Sequence, residues 1–356
     1  MKILFDCRYT RFPRHDGISR FTAGLVTALA KLTPVTMVIS DERQLTMLPD
    51  LPWVLATSPT AITEPLVSRR LNRFVPDVVF TPMQTMGPFG RHFGLVTTVH
   101  DLIYYENRTP PRDLAWPVRL LWRLYHLSWG PQRALLARAD AHATVSETTR
   151  ELMIRHRLTK HPITVVPNAV DPAIVGRDAS PGRDLLYMGS FMPYKNVELL
   201  AQSMHLLPGY TLHLLSRADG GTVSRLSALA PEGSIEFHQG VSDEQYAELL
   251  STAMALVSPS LNEGFGLPLV EAMAGGTPVA VSDIPIFREI GGEAAVFFDP
   301  KSPESFAHAI RQLENPAEWR RRSKLARERA GHYSWDRSAE ALLATLEAVN
   351  ASRSPR

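Results

Sequence analysis

Residues 258–283 read SPSLNEGFGLPLVEAMAGGTPVAVSD, and this stretch joins a strand to a short helix and then to another strand. Pro268 suits a first helical turn because proline loses no hydrogen bond there. The Gly275–Gly276 pair suits the opposite end of the helix as a C-cap. The pattern predicts a helix over residues 268–274, within the strand–helix–strand unit from which doubly wound parallel sheets are built.

The same alternation of β-branched runs and helical stretches extends along all 356 residues, which is more than one ordinary core accommodates. We predict two α/β domains, at 1–172 and 185–335, joined by a linker at 173–184 and followed by a C-terminal helix at 336–350. The first helix is expected at 17–32. Strands are expected at 2–6, 35–39, 77–80, 95–99, 141–145, 163–166, 185–188, 211–215, 234–238, 255–257, 278–281 and 295–298.

The composition is that of an ordinary soluble globular protein, with 44% hydrophobic and 21% charged residues. The single cysteine, Cys7, cannot form an internal disulfide, and the apolar run at residues 3–5 is too short for a signal-peptide core. No stretch approaches the roughly 20 apolar residues of a membrane-spanning helix. We therefore expect a cytoplasmic protein.

Basic residues are concentrated in the N-terminal half: residues 1–175 hold 21 Lys and Arg against 14 Asp and Glu, and residues 176–356 hold 17 against 22. This half either meets an anionic partner or carries scattered, solvated arginines. Residues 118–138 place Arg119, Arg123 and His126 at helical spacing beside leucines and tryptophans. Such a helix either rests on an anionic membrane surface, peripherally, or contributes its leucines to a protein core.

The loop before the predicted helix at 268–274 has the features of an anion site. Gly264 and Gly266 let the backbone approach a ligand, and the N–H groups and positive dipole end of a helix favour phosphate. Glu263 and Glu271, eight residues apart, would serve sugar hydroxyls and a ribose diol respectively. Alternatively, Glu271 complements the helix dipole and Glu263 is a solvated loop charge.

A second motif, MGSFMPYKNV at 188–197, follows the first predicted strand of the second domain. Gly189 permits a tight turn there. Lys195 lies near the start of the next helix, where its charge can neutralise a diphosphate leaving group. A lone lysine at such a position is often only solvated, so this interpretation depends on the first motif.

These two segments resemble the family-4 retaining glycosyltransferases of the GT-B type, which include many bacterial mannosyl- and glucosyltransferases. The resemblance implies an α/β fold of two Rossmann-like doubly wound domains facing a central cleft, with the C-terminal helix returning to the N-terminal domain. It extends to DGISR at 16–20, HD at 100–101, TVSE at 144–147, VVPNAVD at 165–171, GVSDE at 240–244 and SWD at 334–336.

The resemblance also implies roles for individual residues. Glu263 would contact the donor sugar, Lys195 the diphosphate, and His100 the transferred sugar from the acceptor side. His100 is alternatively a buried structural histidine. The implied catalytic set is Glu263, His100 and Lys195; the donor set is Gly189, Ser190, Lys195, Asn196, Glu263, Gly264, Phe265, Gly266, Leu267 and Glu271; and the acceptor and phosphate side has Gly17, Arg20 and Asp101.

Two positions depart from the family pattern, because many members have arginine where Ser190 stands and a second glycine where Asp16 stands. The diphosphate then has one fewer obvious cation, for which Arg20 or Tyr194 would have to compensate. The KN form of the lysine motif, together with HDL at 100–102, is similar to members that use GDP-mannose. UDP-glucose is the alternative donor.

The expected reaction is hexosyl transfer from a nucleotide sugar to a glycan or lipid-linked acceptor, with retention, without a covalent nucleophile and without a cofactor. No acidic pair with metal-ligand spacing is apparent, so we expect metal independence, and no nucleic-acid partner is expected. The rival interpretations are a nucleotide-sugar epimerase, a glycosyl phosphorylase and a catalytically silent sugar-nucleotide binder. A dehydrogenase is disfavoured because no G-x-G-x-x-G follows a predicted strand.

Overall fold

The computed structural model describes residues 1–110, 116–170 and 182–353. The chain forms two compact units: the first is Met1–Ala169 with Ser334–Arg356, and the second is Val170–Tyr333. Most of the linker predicted at 173–184 lies outside the described residues, although Asp184 already belongs to a strand.

The first unit is built on a parallel sheet of seven strands in the order β3-β2-β1-β4-β5-β6-β7. Every residue of β1, β4, β5 and β6 is buried, as expected where both faces of a sheet are covered. The strands are β1 (Ile3–Asp6), β2 (Val35–Ile39), β3 (Trp53–Leu55), β4 (Val78–Thr81), β5 (Gly94–Val99), β6 (Ala141–Thr144) and β7 (Ile163–Val165). The helices are α1 (Gly17–Leu32), α2 (Val67–Leu71), α3 (Ile103–Glu106), α4 (Trp116–Tyr125), α5 (Gly130–Leu136) and α6 (Glu147–Arg155).

The second unit has a parallel sheet of six strands in the order β10-β9-β8-β11-β12-β13. Strand order reverses between β8 and β11, as it does between β1 and β4 in the first unit. The strands are β8 (Asp184–Tyr187), β9 (Thr211–Leu214), β10 (Ile235–Phe237), β11 (Ala255–Ser258), β12 (Val279–Ser282) and β13 (Val296–Phe298). The helices are α7 (Val197–Ser203), α8 (Gly220–Ser227), α9 (Asp243–Thr252), α10 (Leu267–Ala274), α11 (Pro285–Gly291), α12 (Pro303–Gln312) and α13 (Pro316–Ala330).

The predicted α/β class and the parallel sheets are confirmed, and each predicted strand lies within one residue of an observed one. The strand β3 was missed. It has only three residues, and two of them, Trp53 and Leu55, are more than 40% exposed, so no apolar run marks it.

The last helix, α14 (Trp335–Arg353), returns to the first unit, where it contacts α1 and strands β4, β5, β6 and β7. It begins one residue before the predicted start at 336 and ends three residues after the predicted end at 350. The second domain, expected to run to residue 335, ends at Tyr333. Trp335 instead packs edge-on against Phe21 of α1, with ring centroids 6.2 Å apart.

Gly24 of α1 allows this packing. A Cβ atom built on Gly24 would lie 2.6 Å from Trp335 Nε1 and would overlap the indole ring. Helix α1 can approach α14 this closely only because the residue at position 24 has no side chain.

We predict that Gly24→Ala destabilises the first unit. Overpacking typically costs about 1–3 kcal/mol, which outweighs the roughly 1 kcal/mol that alanine gains over glycine in a helix. The midpoint of thermal unfolding should therefore fall. The control is Gly220→Ala at the start of α8, where an added Cβ meets no described atom within 4 Å and unfolding should change little. Equal midpoints for the two variants would contradict this account of the α1–α14 contact.

Candidate active site

The two predicted motifs meet at the reversal of strand order in the second unit. Strands β8 and β11 pair directly, and their carboxyl ends lead into the loops that carry Lys195 and Glu263. The Leu261 amide donates to the Tyr194 carbonyl at 2.8 Å, which joins the two loops. Doubly wound sheets bind ligands at such a reversal, outside the carboxyl ends of the strands.

Lys195 and Glu263 form an ion pair between Nζ and Oε1. Both side chains are mostly buried, with exposed fractions of 16% and 13%. Ser260 Oγ donates to the same carboxylate oxygen at 2.9 Å, and the Tyr194 ring centroid lies 5.5 Å from the ammonium. Glu263 is therefore not a solvated loop charge.

Asn196 holds this arrangement in place. Its backbone is left-handed, with φ of 54°, a conformation that asparagine tolerates better than most residues. Its side-chain amide donates to the Pro259 carbonyl at 3.2 Å and to the Pro300 carbonyl at 2.8 Å. The side chain of Asn196, a residue of the predicted donor set, thus joins the loops after β8, β11 and β13.

Helix α10 begins at Leu267, one residue before the predicted start, with Gly266 as its N-cap. Glycine has no side-chain oxygen to cap the first N–H groups, whereas Asp16 caps α1 and Ser242 caps α9 in that way. Gly266 also has φ of +90°, and a Cβ there would lie 3.1 Å from the Phe287 ring. The start of α10 is thus built from backbone, as an anion site requires.

Two side chains near this helix start, Phe265 and Glu271, are buried. Phe265 is 5% exposed and packs edge-on against Tyr333 at 5.5 Å, which anchors the loop. Glu271 is buried and is the fifth residue of α10, beyond the first turn where a carboxylate favours the helix dipole. Gly276 has φ of +78°, in agreement with the predicted glycine end of the helix.

The turn after β8 depends on Tyr187, which sequence reasoning did not single out. Its hydroxyl donates to the Ser190 carbonyl at 2.7 Å. A Cβ built on Gly189 would lie 2.7 Å from the Tyr187 hydroxyl oxygen. Burial, reinforced by the charge of Glu263, raises the Tyr187 pKa well above its usual value, so the hydroxyl remains a donor. A tyrosine that follows two leucines at the end of a strand was the available signal.

In the first unit, His100 follows β5 and is partly buried. Its Nε2 donates to the Pro82 carbonyl at 2.7 Å, and its ring packs edge-on against Phe21 at 5.0 Å. Burial lowers its pKa, so the ring is neutral at neutral pH. His100 and Asp101 line a cavity of about 310 Å³ together with Tyr104, Tyr105 and His126.

The start of α1 differs from the start of α10. Asp16 accepts from the Ser19 amide at 2.8 Å and pairs with Arg11 at 2.8 Å, so a carboxylate stands where a phosphate would bind. A Cβ on Gly17 would meet no described atom within 4 Å, and local packing does not demand glycine there. Arg20 lies on the first turn and is partly buried.

Two family models match the chain. The model described as Glycosyltransferase Family 4 matches residues 15–174, and the model described as Glycosyl transferases group 1 matches residues 177–329. Together they span most of both units.

Individual proteins agree with these matches. The chain is 26% identical over 313 residues to the O-antigen chain mannosyltransferase RfbU of Salmonella typhimurium, covering 84% of this chain and 87% of that protein. It is 34% identical over 145 residues to a GDP-mannose-dependent alpha-(1-6)-phosphatidylinositol dimannoside mannosyltransferase of Mycobacterium tuberculosis, covering 40% and 38%. Among solved structures, Anabaena HepE in complex with UDP and glucose has a TM-score of 0.73 at 17% identity, covering 98% of this chain and 100% of that one.

The neutral state of His100 predicts a pH dependence of stability. Because the folded-state pKa lies below the unfolded value of about 6.5, the unfolded chain takes up the proton first as pH falls. The contribution of His100 to stability is constant well above pH 6.5 and decreases as pH falls below it, by at most about 1.4 kcal/mol per pH unit. His100→Gln should therefore lose less stability than the wild type between pH 7.5 and 5.0, as measured by thermal unfolding.

The buried His142, whose pKa is lowered to about 4, makes the stability of both proteins fall as pH decreases. The effect of His100 is therefore measured as the difference in stability between the wild type and His100→Gln at each pH. His92→Gln, at an exposed histidine, serves as the control. Parallel curves for wild type and His100→Gln would contradict the assignment.

Proposed function

Because the chain belongs to the family-4 glycosyltransferases, we propose that it moves a hexose, with mannose favoured, from a nucleoside-diphosphate sugar to a hydroxyl group of a glycan or lipid-linked acceptor. The observation that carries the proposal is the Lys195–Glu263 ion pair beside the backbone-built start of α10. This arrangement offers a cation and N–H groups to a diphosphate, and a carboxylate to sugar hydroxyls.

The main chemical task is to stabilise the diphosphate as it leaves with growing negative charge. A fixed donor placed where charge develops is worth about 3–4 kcal/mol, so Lys195 and the first N–H groups of α10 supply a large part of the stabilisation. The Lys195 ammonium must exchange partners on donor binding, because Glu263 neutralises it in the structure. The carboxylate then turns to the sugar hydroxyls while Ser260, its second hydrogen-bond partner, continues to hold it.

We assign no covalent nucleophile and no metal to this reaction. Transfer with retention then proceeds by attack on the face from which the diphosphate departs, and the leaving phosphate oxygen accepts the acceptor proton. His100 is an unsuitable general base, since burial lowers its pKa and Nε2 already donates to Pro82. Its remaining nitrogen, Nδ1, accepts a hydrogen bond from a hydroxyl and so orients the sugar. Glu271, within α10, would accept the ribose hydroxyls.

The donor is proposed to be GDP-mannose. The relatives reported above are mannosyltransferases, and one of them is named as GDP-mannose-dependent. The alternative is UDP-glucose, which a structural neighbour solved with UDP and glucose keeps open.

We predict that the protein releases GDP from GDP-mannose, faster than it releases nucleotide from other sugar donors in a panel scored by mass spectrometry. Lys195→Ala should lower kcat/KM by about 10²–10³-fold, because one preorganised donor is lost from the leaving group. Glu263→Gln should suppress release strongly. Matched controls are Lys301→Ala and Glu248→Gln, at exposed residues of the same unit, which should leave release unchanged.

The same panel separates the rival functions. A silent binder would bind nucleoside diphosphate and release nothing, an epimerase would interconvert donors without free nucleotide, and a phosphorylase would require inorganic phosphate. Release of UDP from UDP-glucose alone would replace the proposed donor. Unchanged release by Glu263→Gln would remove this residue from the site.

The acceptor side of the proposal rests on helix α4. Trp122 of α4 packs against Tyr104, which lines the His100 cavity, with ring centroids 5.1 Å apart. His126, which follows the end of α4, packs against the same tyrosine with ring centroids 5.9 Å apart. None of the α4 residues, all of which the structure describes, is buried. The alternative that these leucines form core is therefore wrong, and the predicted helix at 118–138 is two helices that break at 126–129. Within α4 and the two residues after it, the most exposed apolar side chains are Trp116, Leu121, Leu124 and Leu127, at 53–75%.

We propose that this face rests on an anionic membrane that carries the acceptor. Contiguous exposed apolar side chains mark interaction surfaces, and Arg119 and Arg123 on the same helix would meet anionic headgroups. No described helix is long and apolar enough to cross a bilayer. The proposed contact is peripheral, and it would bring a lipid-linked hydroxyl toward the cavity that His100 lines.

We predict that the protein floats with vesicles containing anionic lipid at low salt. Leu121→Glu or Leu124→Glu should weaken vesicle binding by about tenfold or more, because each removes an apolar side chain worth roughly 1.5–3 kcal/mol when buried. Ile62→Glu is the matched control, since Ile62 is 99% exposed and lies outside α4. Absence of flotation at low salt, or equal loss in the control, would end the membrane proposal.

A further inference from the structure

Two histidines and a glutamate converge at the edge of the second sheet. His213 lies in β9, Glu236 lies opposite it in β10, and His238 follows two residues later on the same face. Their ligand atoms all lie within 4.8 Å of one another, and within the described part of the chain no other three histidine, cysteine or acidic side chains converge in this way. None of the three belongs to the loops that carry Lys195 and Glu263.

The three groups surround one point. His213 Nδ1 lies 2.9 Å from His238 Nε2 and 3.5 Å from Glu236 Oε2, and His238 Nε2 lies 3.5 Å from Glu236 Oε1. Two facing ring nitrogens can form a hydrogen bond only when one of them carries the proton. A cation between them would replace that proton and would contact all three side chains.

The far side of His213 also resembles a metal site. Its other nitrogen, Nε2, is buried and makes no hydrogen bond in the structure, and the carboxylate oxygen Asp184 Oδ1 lies 3.2 Å away. Ligating histidines almost always direct their second nitrogen at a carboxylate, a carbonyl or water, which fixes the tautomer and leaves the first nitrogen for the metal. In the metal-bound form, Asp184 would accept a hydrogen bond from Nε2 and leave Nδ1 as the ligand.

We propose that His213, Glu236 and His238 bind a divalent transition-metal ion, with zinc favoured and water completing the coordination. Two imidazoles and one carboxylate form a donor set that zinc uses, whereas magnesium and calcium prefer oxygen ligands. The Glu236 side chain is 57% exposed, which gives the ion a path from solvent.

The site would join strand β10 to its neighbour. Strand β10 is the outermost strand of the second sheet and pairs with β9 over three residues. A metal held by one residue of β9 and two on or next to β10 adds a bond between them that the backbone ladder does not supply. The proposal is independent of the transfer reaction, which needs no metal in the mechanism above.

The test uses protein stripped with EDTA and titrated with ZnCl₂ against a chromophoric chelator. We expect one zinc ion per chain and a rise in the thermal unfolding midpoint that MgCl₂ does not reproduce. His238→Gln and Glu236→Gln should weaken zinc binding by at least about tenfold, and Asp184→Asn, behind His213, by about 10–100-fold.

The control is His205→Gln, at an exposed histidine of the same unit, which should bind zinc like the wild type. Cobalt provides a second measurement, because tetrahedral Co²⁺ has a characteristic visible absorption that should be present in the wild type and lost in His238→Gln. Absence of saturable zinc binding would overturn the proposal. So would equal affinity in the wild type, His238→Gln and Glu236→Gln.

Discussion

A charged side chain that leaves water must find a compensating partner, and this constraint organises the site of the second unit. Lys195 and Glu263 compensate each other before any ligand arrives. The surrounding contacts keep them adjacent: the Asn196 amide joins three loops, and Ser260 holds the carboxylate. In the proposed reaction, an incoming diphosphate would not have to create a charged site, because it would only exchange one anionic partner of the lysine for another.

Strand positions could be predicted closely because buried parallel strands are short apolar runs separated by turn residues, and such runs can be recognised in the amino-acid sequence. The prediction failed where the signal depends on tertiary contacts. The leucines of α4 have the spacing of a core helix, yet they are exposed. Trp335 was assigned to the wrong unit because nothing in its neighbourhood reveals that Gly24, more than 300 residues earlier, leaves space for an indole ring.

The same distinction applies to the candidate sites. Lys195 and Glu263 could be expected to meet because both follow strands at the carboxyl edge of one sheet, where order reverses. The positioning role of Asn196 could not, since its partners are backbone carbonyls of two other loops. His213 and Glu236 become neighbours only through the register of β9 and β10, which no spacing along the chain encodes.

The route of the chain has a consequence for biosynthesis. The side chains Ala339, Leu342 and Leu346 of α14 are buried in the first unit, yet the ribosome makes them after the whole of the second unit. The nascent first unit must therefore wait with part of its core uncovered, while the second unit, continuous in sequence, can complete its own. An uncovered apolar surface during translation is the kind that chaperones recognise and that aggregates when it meets another copy.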